Sequence, residues 1–201
     1  MRRFQEGDGD AFQELVRRYR DPIVSFCLRM LNDPDMALDV AQEAFVRVYT
    51  HAASYEPLAS FTGWLYRIAY NLSINEIRRR TRQPVVSYDA APERDEGPAP
   101  AREPRDDSPS IEEGLLGAER RDAVRRCVAA LPPRYRGAVV MKDMEGMTFE
   151  EVARILGCPE STVKSRVMRG REMLRARLES YLAPAGSRTV AAAPAGRLPA
   201  R

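Results

Sequence analysis

The chain has 201 residues and a formal net charge of +3, with 44% hydrophobic and 30% charged residues. This length suits one medium domain or two small ones, and the composition favours folded helical domains over disorder. No apolar run approaches the roughly 18 residues of a membrane-spanning helix, and three scattered cysteines with one histidine argue against a zinc site, which takes four such ligands.

Residues 1–82 form the first predicted unit, because apolar side chains recur there at helical spacing. The N-terminus lacks an apolar segment, so no secretory signal is predicted and the chain is expected in the cytoplasm. Apolar residues at helical spacing over 12–30 predict one helix or a pair of helices. Pro22 is predicted either to kink the helix or to mark the start of a second one. Asp33 or Asp35 is the candidate cap of a second helix over 35–50, and a third is predicted over 61–80.

Residues 83–110 are predicted to be a flexible linker, because six prolines interrupt them and few large apolar residues are available for burial. Over 83–114, nine acidic residues oppose three arginines, so a polyanion is not expected to bind there. The Ala/Pro/Gly-rich tail, 183–201, is predicted to be disordered. The chain is therefore expected to be two domains on a tether.

The second predicted unit, residues 111–182, contains several helix boundary signals. Pro133 suits the first turn of one helix. Thr148 and Glu151 have the spacing of a capping box, and Gly157 can end the short helix that follows in a left-handed conformation. Pro159 is predicted at the first position of the last helix.

A short helix, a glycine turn and a basic helix in this order predict a helix-turn-helix. The last helix has six basic residues and one acid between Lys164 and Arg177. Such a helix can enter the major groove, where arginine donates two hydrogen bonds to guanine. The alternative is a solvated basic face on a packing helix. The predicted buried seam is Val163, Val167, Gly170, Leu174 and Leu178.

Three segments resemble the extracytoplasmic-function (ECF) sigma factors of the sigma-70 family of RNA polymerase. Residues 148–157 with 161–166 resemble the family's promoter-recognising C-terminal region. Residues 39–45 resemble the segment that docks on the polymerase clamp, and 61–71 resemble the segment for the −10 element. The resemblance implies an all-α protein, with a helical bundle over 1–82 and a helix-turn-helix domain over 111–182.

The resemblance also implies which residues bind each partner. Those expected to contact the −35 element are Ser161, Thr162, Lys164, Ser165, Arg166, Met168, Arg169 and Arg171. Those expected at the −10 element are Tyr55, Phe61, Trp64, Tyr66, Arg67, Asn71, Arg78, Arg79 and Arg80. Polymerase contacts are expected from Asp39, Gln42 and Glu43.

Some of these residues have a second interpretation. Trp64 lies on an apolar stripe with Ile68 and Leu72, so core packing is an equal alternative for it. Without the family resemblance, the interpretation of Asp39, Gln42 and Glu43 would be ordinary exposed residues of a helix. Gly63 and Gly170 fall inside predicted helices, where close approach of DNA or of a neighbouring helix would explain them.

The expected function is that of a sigma factor that binds core RNA polymerase, directs it to promoters and promotes melting of the −10 element. The expected partners are core polymerase, promoter DNA and an anti-sigma factor, with no membrane contact. No metal, cofactor or enzymatic activity is predicted, because the sequence has no phosphate loop, metal cluster or nucleophile–base set. The alternatives are a helix-turn-helix regulator that acts without polymerase and a polymerase-binding adaptor.

Overall fold

The computed structural model describes residues 1–55, 60–82 and 111–182, with side chains at 1–55, 60–82 and 120–180. Every regular element in these ranges is helical, which confirms the predicted all-α fold. The predicted linker 83–110, the tail 183–201 and residues 56–59 lie outside the described residues. The elements are α1 (Arg2–Gln5), α2 (Gly9–Leu31), α3 (Pro34–Thr50), a 3₁₀ turn (Ala52–Ser54), α4 (Phe61–Arg82), α5 (Ile111–Ala129), α6 (Pro133–Val139) with a π-helical continuation (Val140–Met144), α7 (Phe149–Leu156) and α8 (Glu160–Leu182).

Helix α2 is one continuous helix. It begins at an Asp8 cap, whose carboxylate accepts a hydrogen bond from the Ala11 amide at 3.1 Å, and it ends at Asn32, which has a φ of 55°. Of the two alternatives for Pro22, a kink or a restart, the restart is wrong. Pro22 lies on the exposed side, where the carbonyl that loses its amide partner can bond to water instead.

The remaining helices of the N-terminal unit (α1–α4) close a bundle around α2. Of the two candidate caps of α3, Asp33 and Asp35, the structure shows Asp33. Its carboxylate accepts a hydrogen bond from the Met36 amide at 3.0 Å. Apolar side chains of α2, α3 and α4 fill the interior, and the fully buried ones include Phe26, Met30, Val48 and Leu65. This burial gives the unit its main stabilisation.

The C-terminal unit (α5–α8) follows the predicted boundary signals closely. Glu151 donates its amide to the Thr148 hydroxyl and accepts from the Thr148 amide, so both halves of the capping box are formed. Gly157 ends α7 with a φ of 62°. Helix α8 begins at Glu160, one residue later than predicted, because Pro159 supplies the first carbonyl acceptor and stands at the cap position.

The cysteines pack as small apolar side chains. All three are free, with Cys27 and Cys127 buried and Cys158 half-buried. Burial raises the pKa of the Cys27 thiol to about 12, so this thiol stays neutral. Among the described residues, no group of His, Cys, Asp and Glu side chains is placed to hold a metal ion. None of the described helices combines the length and the apolar character that a membrane crossing requires.

The two units pack directly against each other. The prediction of two domains on a tether did not include this contact. Helix α4 lies against α7, and α2 contacts both α5 and α6. One continuous buried cluster includes Leu65 and Ala69 of α4 together with Val152 and Ile155 of α7. Helix α7 therefore contacts α4 on one side and α8 on the other.

Candidate nucleic-acid and polymerase interfaces

Helix α8 has one buried side and one polar side, as its sequence pattern predicts. Val163, Val167 and Gly170 are buried, and Leu174 and Leu178 are partly buried. The opposite side carries the exposed residues of the predicted −35 set, which are Ser161, Lys164, Ser165, Met168, Arg169 and Arg171. Met168, an apolar side chain, is 62% exposed on this face. A methionine in this position can contact a thymine methyl group.

Not every member of the −35 set is equally available for DNA. Thr162 and Arg166 are half-buried, and the Arg166 guanidinium lies 3.6 Å from the Cys158 sulfur. Arg171 forms a two-pronged ion pair with Asp143, at 2.9 Å from its Nε, which ties α8 to the π-helical turn. Arg169 pairs only loosely with Glu172 at 3.3 Å. Arg169 is therefore the arginine of this face best placed to exchange its partner for a base.

The aromatic residues of the predicted −10 set pack on one another. Tyr55 and Trp64 have ring centroids 4.8 Å apart, and Phe61 lies 6.3 Å from Trp64. Phe61 also contacts Tyr19 of α2 edge-on at 5.2 Å. Trp64 is partly exposed and packs on Tyr55 and Phe61, so the packing alternative for it is present and part of its ring also faces solvent.

Tyr66 differs from its predicted place, because its side chain is inside the molecule. It is 4% exposed, stacks edge-on against Phe26, and donates its hydroxyl hydrogen to Glu145 of the C-terminal unit at 2.7 Å. Burial, followed by the Glu145 hydrogen bond, raises the pKa of Tyr66, so the hydroxyl remains a donor. In this arrangement of the units Tyr66 has no access to a DNA base.

The polar members of the −10 set lie on the surface of α4. Arg67, Asn71 and the arginines Arg78, Arg79 and Arg80 are exposed. Glu76 accepts hydrogen bonds from Arg79 at 2.8 and 2.9 Å and from Arg80 at 2.9 Å, and Arg80 also pairs with Asp33. Sequence reasoning missed Glu76, although its spacing of three and four residues from the two arginines is a known signal for helical ion pairs.

Helix α3 exposes a mixed polar and apolar strip. Asp39, Gln42 and Glu43 are exposed, as expected for polymerase contacts, and Glu43 pairs with Arg47 at 2.8 Å. Leu38 and Val46, one turn before and one turn after Gln42, are 39% and 54% exposed. Sequence reasoning named only the polar residues. The exposed apolar neighbours complete a surface of the kind that protein partners cover.

Two family models match the chain. The model described as Sigma-70 region 2 matches residues 15–83, and the model described as Sigma-70, region 4 matches residues 121–174. The chain is also similar to the ECF RNA polymerase sigma factor SigW of Bacillus subtilis (strain 168). It is 36% identical over 178 residues, which cover 89% of this chain and 94% of SigW.

Solved structures share the fold at lower identity. CnrH, solved with the cytosolic domain of CnrY, has a TM-score of 0.63 and 22% identity over 88% of this chain and 92% of that one. The sigma factor RpoE, solved with the anti-sigma factor NepR from Bartonella quintana, has a TM-score of 0.61 and 22% identity over 84% and 97%. At this identity the likeness bears on the fold alone.

Proposed function

The chain belongs to the ECF sigma factors of the sigma-70 family, and we propose that each of the three surfaces described above binds a different partner during initiation. As a sigma factor, it binds core RNA polymerase and directs it to promoters for the initiation of transcription. The proposal assigns −35 recognition to α8, −10 recognition to α4 and polymerase binding to α3. The observation that carries it is the exposed basic face of α8 beside a capped short helix.

Recognition of the −35 element falls to the N-terminal half of α8, because that half of a recognition helix enters the major groove. Arg169 can offer two donors to one guanine, and Met168 can contact a thymine methyl group. Lys164 and Ser165 are exposed beside them and can bind phosphate or a base edge. Arg171 is held by Asp143, so we assign it a positioning role between α8 and the π-helical turn.

Opening of the −10 element falls to α4. Melting a duplex costs base stacking, and an unstacked base can be held on an aromatic face or by polar side chains. Trp64, Arg67 and Asn71 offer such groups along the exposed side of α4. Arg78, Arg79 and Arg80 follow on the same helix, where they can bind the phosphates of the adjoining duplex.

Polymerase binding falls to the strip of Leu38, Asp39, Gln42, Glu43 and Val46 on α3. We also propose an anti-sigma factor as a second protein partner, because the Bartonella quintana relative was solved with one. The chain would then act in the cytoplasm, beside polymerase and the chromosome, and contribute binding rather than a catalytic step. A pull-down from the native cell that recovers polymerase subunits but never an inhibitor would contradict the second partner.

Transcription in vitro tests the proposed function. The purified full chain and core polymerase are incubated with fragments of the native genome, and the starts of run-off transcripts are mapped. Discrete starts that need both components are expected, with common sequences near −10 and −35. Tight binding of the chain alone to an operator, with no transcript when polymerase is added, would overturn the assignment in favour of a regulator that acts without polymerase.

A further inference from the structure

Helix α1 (Arg2–Gln5) packs on the outside of the N-terminal unit, beside the 3₁₀ turn (Ala52–Ser54) that follows α3. A helix of four residues is not stable by itself in water, so contacts with the rest of the unit must hold it. The ring centroid of Phe4 lies 5.0 Å from that of Phe12 in α2 and 5.4 Å from that of Tyr49 in α3. Phe12 and Tyr49 also meet edge-on at 5.2 Å. These three rings attach α1 to both α2 and α3.

Gln5, the last residue of α1, contacts two backbone carbonyls that are 47 and 50 residues away along the chain. Its side-chain amide nitrogen donates one hydrogen bond to the Ala52 carbonyl at 2.8 Å and another to the Tyr55 carbonyl at 3.0 Å. A glutamine amide has two donor hydrogens, and both are used here. Ala52 begins the 3₁₀ turn and Tyr55 follows it. One side chain of α1 thus holds both ends of the turn.

Tyr55 connects this anchor to the proposed −10 surface. Its side chain is buried, and its ring centroid lies 4.8 Å from that of Trp64 and 6.4 Å from that of Phe61. Burial raises the pKa of the Tyr55 hydroxyl, and the positive charge of Arg2, also on α1, partly opposes this rise. Because Trp64 and Phe61 pack on the Tyr55 ring, the position of the Tyr55 backbone affects the orientation of both.

The two hydrogen bonds of Gln5 are better suited to fix a position than to stabilise the fold. Gln5 is exposed, and its bond to Ala52 lies at the surface, where water can bond to the same carbonyl. Exchange of such a bond for one with water changes the free energy of unfolding little. Water cannot, however, hold two carbonyls at a fixed distance from α1. Loss of the Gln5 amide should therefore loosen Tyr55 without unfolding the unit.

We propose that Gln5 is a positioning residue for recognition of the −10 element. It holds the backbone of Tyr55 against α1, and Tyr55 holds the rings of Trp64 and Phe61 where an unpaired base can meet them. A surface that is already ordered binds with a smaller loss of conformational entropy. Helix α1 thus contributes to promoter selectivity without contacting DNA. The inference rests on the proposed function in one respect, which is the assignment of Trp64 and Phe61 to the −10 element.

Two substitutions at Gln5 separate its hydrogen bonds from its shape. Gln5→Met keeps nearly the same length but has no donor. Gln5→Glu keeps the shape and places carboxylate oxygens, which only accept, against two carbonyls. The matched controls are Gln13→Met and Gln13→Glu, which make the same changes at an exposed residue of α2. All variants are made in the full chain, and circular dichroism establishes that each is folded under the conditions of the assays.

Fluorescence of Trp64 provides the first measurement, because Trp64 is the single tryptophan of the chain. Acrylamide, a neutral quencher, should reach Trp64 more easily when the Tyr55 ring no longer packs firmly on it. The quenching constant is expected to increase in Gln5→Met and to increase further in Gln5→Glu, where the new oxygens repel the carbonyls. It should equal the wild-type value in both Gln13 variants. A role of Gln5 in stability alone would leave this constant unchanged in the folded protein.

Base preference at the −10 element provides the second measurement. Run-off transcription with core polymerase compares a promoter mapped with the wild-type chain and versions of it with each −10 or −35 base pair changed in turn. Discrimination at the −10 element should fall about fivefold in Gln5→Met, the lower end of what one base pair contributes, and further in Gln5→Glu. Discrimination at the −35 element should stay unchanged, since the proposal assigns that element to α8.

Increased quenching together with lower −10 discrimination in both Gln5 variants, and neither change in the Gln13 controls, supports the proposal. Unchanged quenching or unchanged −10 discrimination in the Gln5 variants overturns it. An equal loss of discrimination at both promoter elements also overturns it, because the defect would then be general.

Trp64→Ala tests the −10 assignment separately from the contact. If that variant kept the wild-type −10 preferences while Gln5→Met still increased the quenching of Trp64, the assignment of Trp64 would be wrong. The role of Gln5 in recognition would be overturned with it, whereas the structural link from Gln5 through Tyr55 to Trp64 would be retained.

Discussion

Gly170 of α8 lies directly against the side chain of Val139 of α6, since a Cβ built on Gly170 would be 2.5 Å from Cγ2 of Val139. A glycine inside a long helix costs about 1 kcal/mol relative to alanine, and this crossing explains why one is present. Of the two explanations that the sequence allows for Gly170, the structure supports the neighbouring helix. Gly63 has no comparable helix neighbour, because its added Cβ would meet only the Ser60 hydroxyl at 3.3 Å.

Gly170→Ala should therefore destabilise the protein although alanine favours helix. Overpacking against Val139 costs about 1–3 kcal/mol and the gain in helix propensity offsets about 1 kcal/mol of it, for a net loss of about 1 kcal/mol. The measurement is chemical denaturation of the full chain followed by circular dichroism. Gly9→Ala serves as the control, and a stability of Gly170→Ala equal to or above that of the wild type would contradict the crossing.

The capping box should make the stability of the protein depend on pH. Hydrogen bonds from the backbone amide and then the hydroxyl of Thr148 lower the pKa of Glu151 below its ordinary value of 4.5. A carboxyl with a lowered pKa in the folded state contributes stability that is fully present above its unfolded pKa and is lost as the pH falls through its folded pKa. Glu151→Gln should therefore show a smaller fall in the free energy of unfolding than the wild type when the pH drops below 4.5.

A denaturation series across that acid range checks this sign. Glu150→Gln is the matched control, because Glu150 is on the same helix turn and makes an exposed ion pair with Arg154 instead of a cap. If the two variants lost stability in parallel at every pH, the cap would not be the source of the effect.

Glu76 is expected to weaken DNA binding by α4, because it holds Arg79 and Arg80 in ion pairs. Glu76→Gln should free these arginines for phosphate. Each new phosphate contact changes the slope of log affinity against log salt concentration by about −0.9. The slope for a promoter duplex bound by the chain with polymerase should thus become more negative by about one or two. The same slope in Glu76→Gln and wild type would indicate that the arginines stay away from phosphate, and Glu179→Gln controls for total charge.

Arg169→Ala should relax promoter selectivity at one −35 base pair. Loss of a bidentate contact with a base costs about 1–3 kcal/mol of discrimination at that position. Run-off transcription from promoters with each −35 base pair changed in turn measures this selectivity. Arg175→Ala removes the same charge further along α8, where Arg175 pairs with Glu179, and should leave the base preferences intact. Selectivity lost at every position, or at none, would argue against base contact by Arg169.

Gln42→Ala should weaken binding to core polymerase while leaving stability unchanged, since Gln42 is exposed at the centre of the strip on α3. The few residues that dominate an interface lie near its centre, and truncation of such a residue costs more than about 1 kcal/mol. Titration of core polymerase with fluorescently labelled protein measures the affinity. Gln13→Ala, an equivalent change on the exposed surface of α2, is the control. Equal affinities of the two variants would place the polymerase contact elsewhere.

Features set by local sequence were predictable, and contacts between distant residues were not. The Thr148–Glu151 box and the left-handed Gly157 depend on side chains within four residues of each other, so pattern alone identifies them. The continuity of α2 through Pro22 depends on which side of the helix faces water. That side is set by the whole bundle and not by the neighbouring residues.

The misplacement of Tyr66 has the same origin. Within the 61–71 motif it resembles a surface aromatic, but Phe26 and Glu145, from 40 and 79 residues away, enclose it. The sequence did not indicate the buried position of Arg136 either. Its guanidinium donates to backbone carbonyls near the ends of α2 and α5, and any residue type supplies those. The periodicity of α8, in contrast, identified the side of the helix that faces the core, because one helix face determines it; Val163, Val167 and Gly170 are buried there, and Leu174 and Leu178 are partly buried.

The shared position of α7, between α4 and α8, has a consequence for protein engineering. Replacing the C-terminal unit with that of a relative is a direct way to give a sigma factor new promoters. In this molecule such a chimaera would also replace Glu145, which pairs with Arg29 of α2. It would replace Arg136 as well, whose guanidinium donates to the Met30 carbonyl of α2. The C-terminal unit thus brings its half of the contact between the units with it, and a chimaera with mismatched partners should pack its two units less stably.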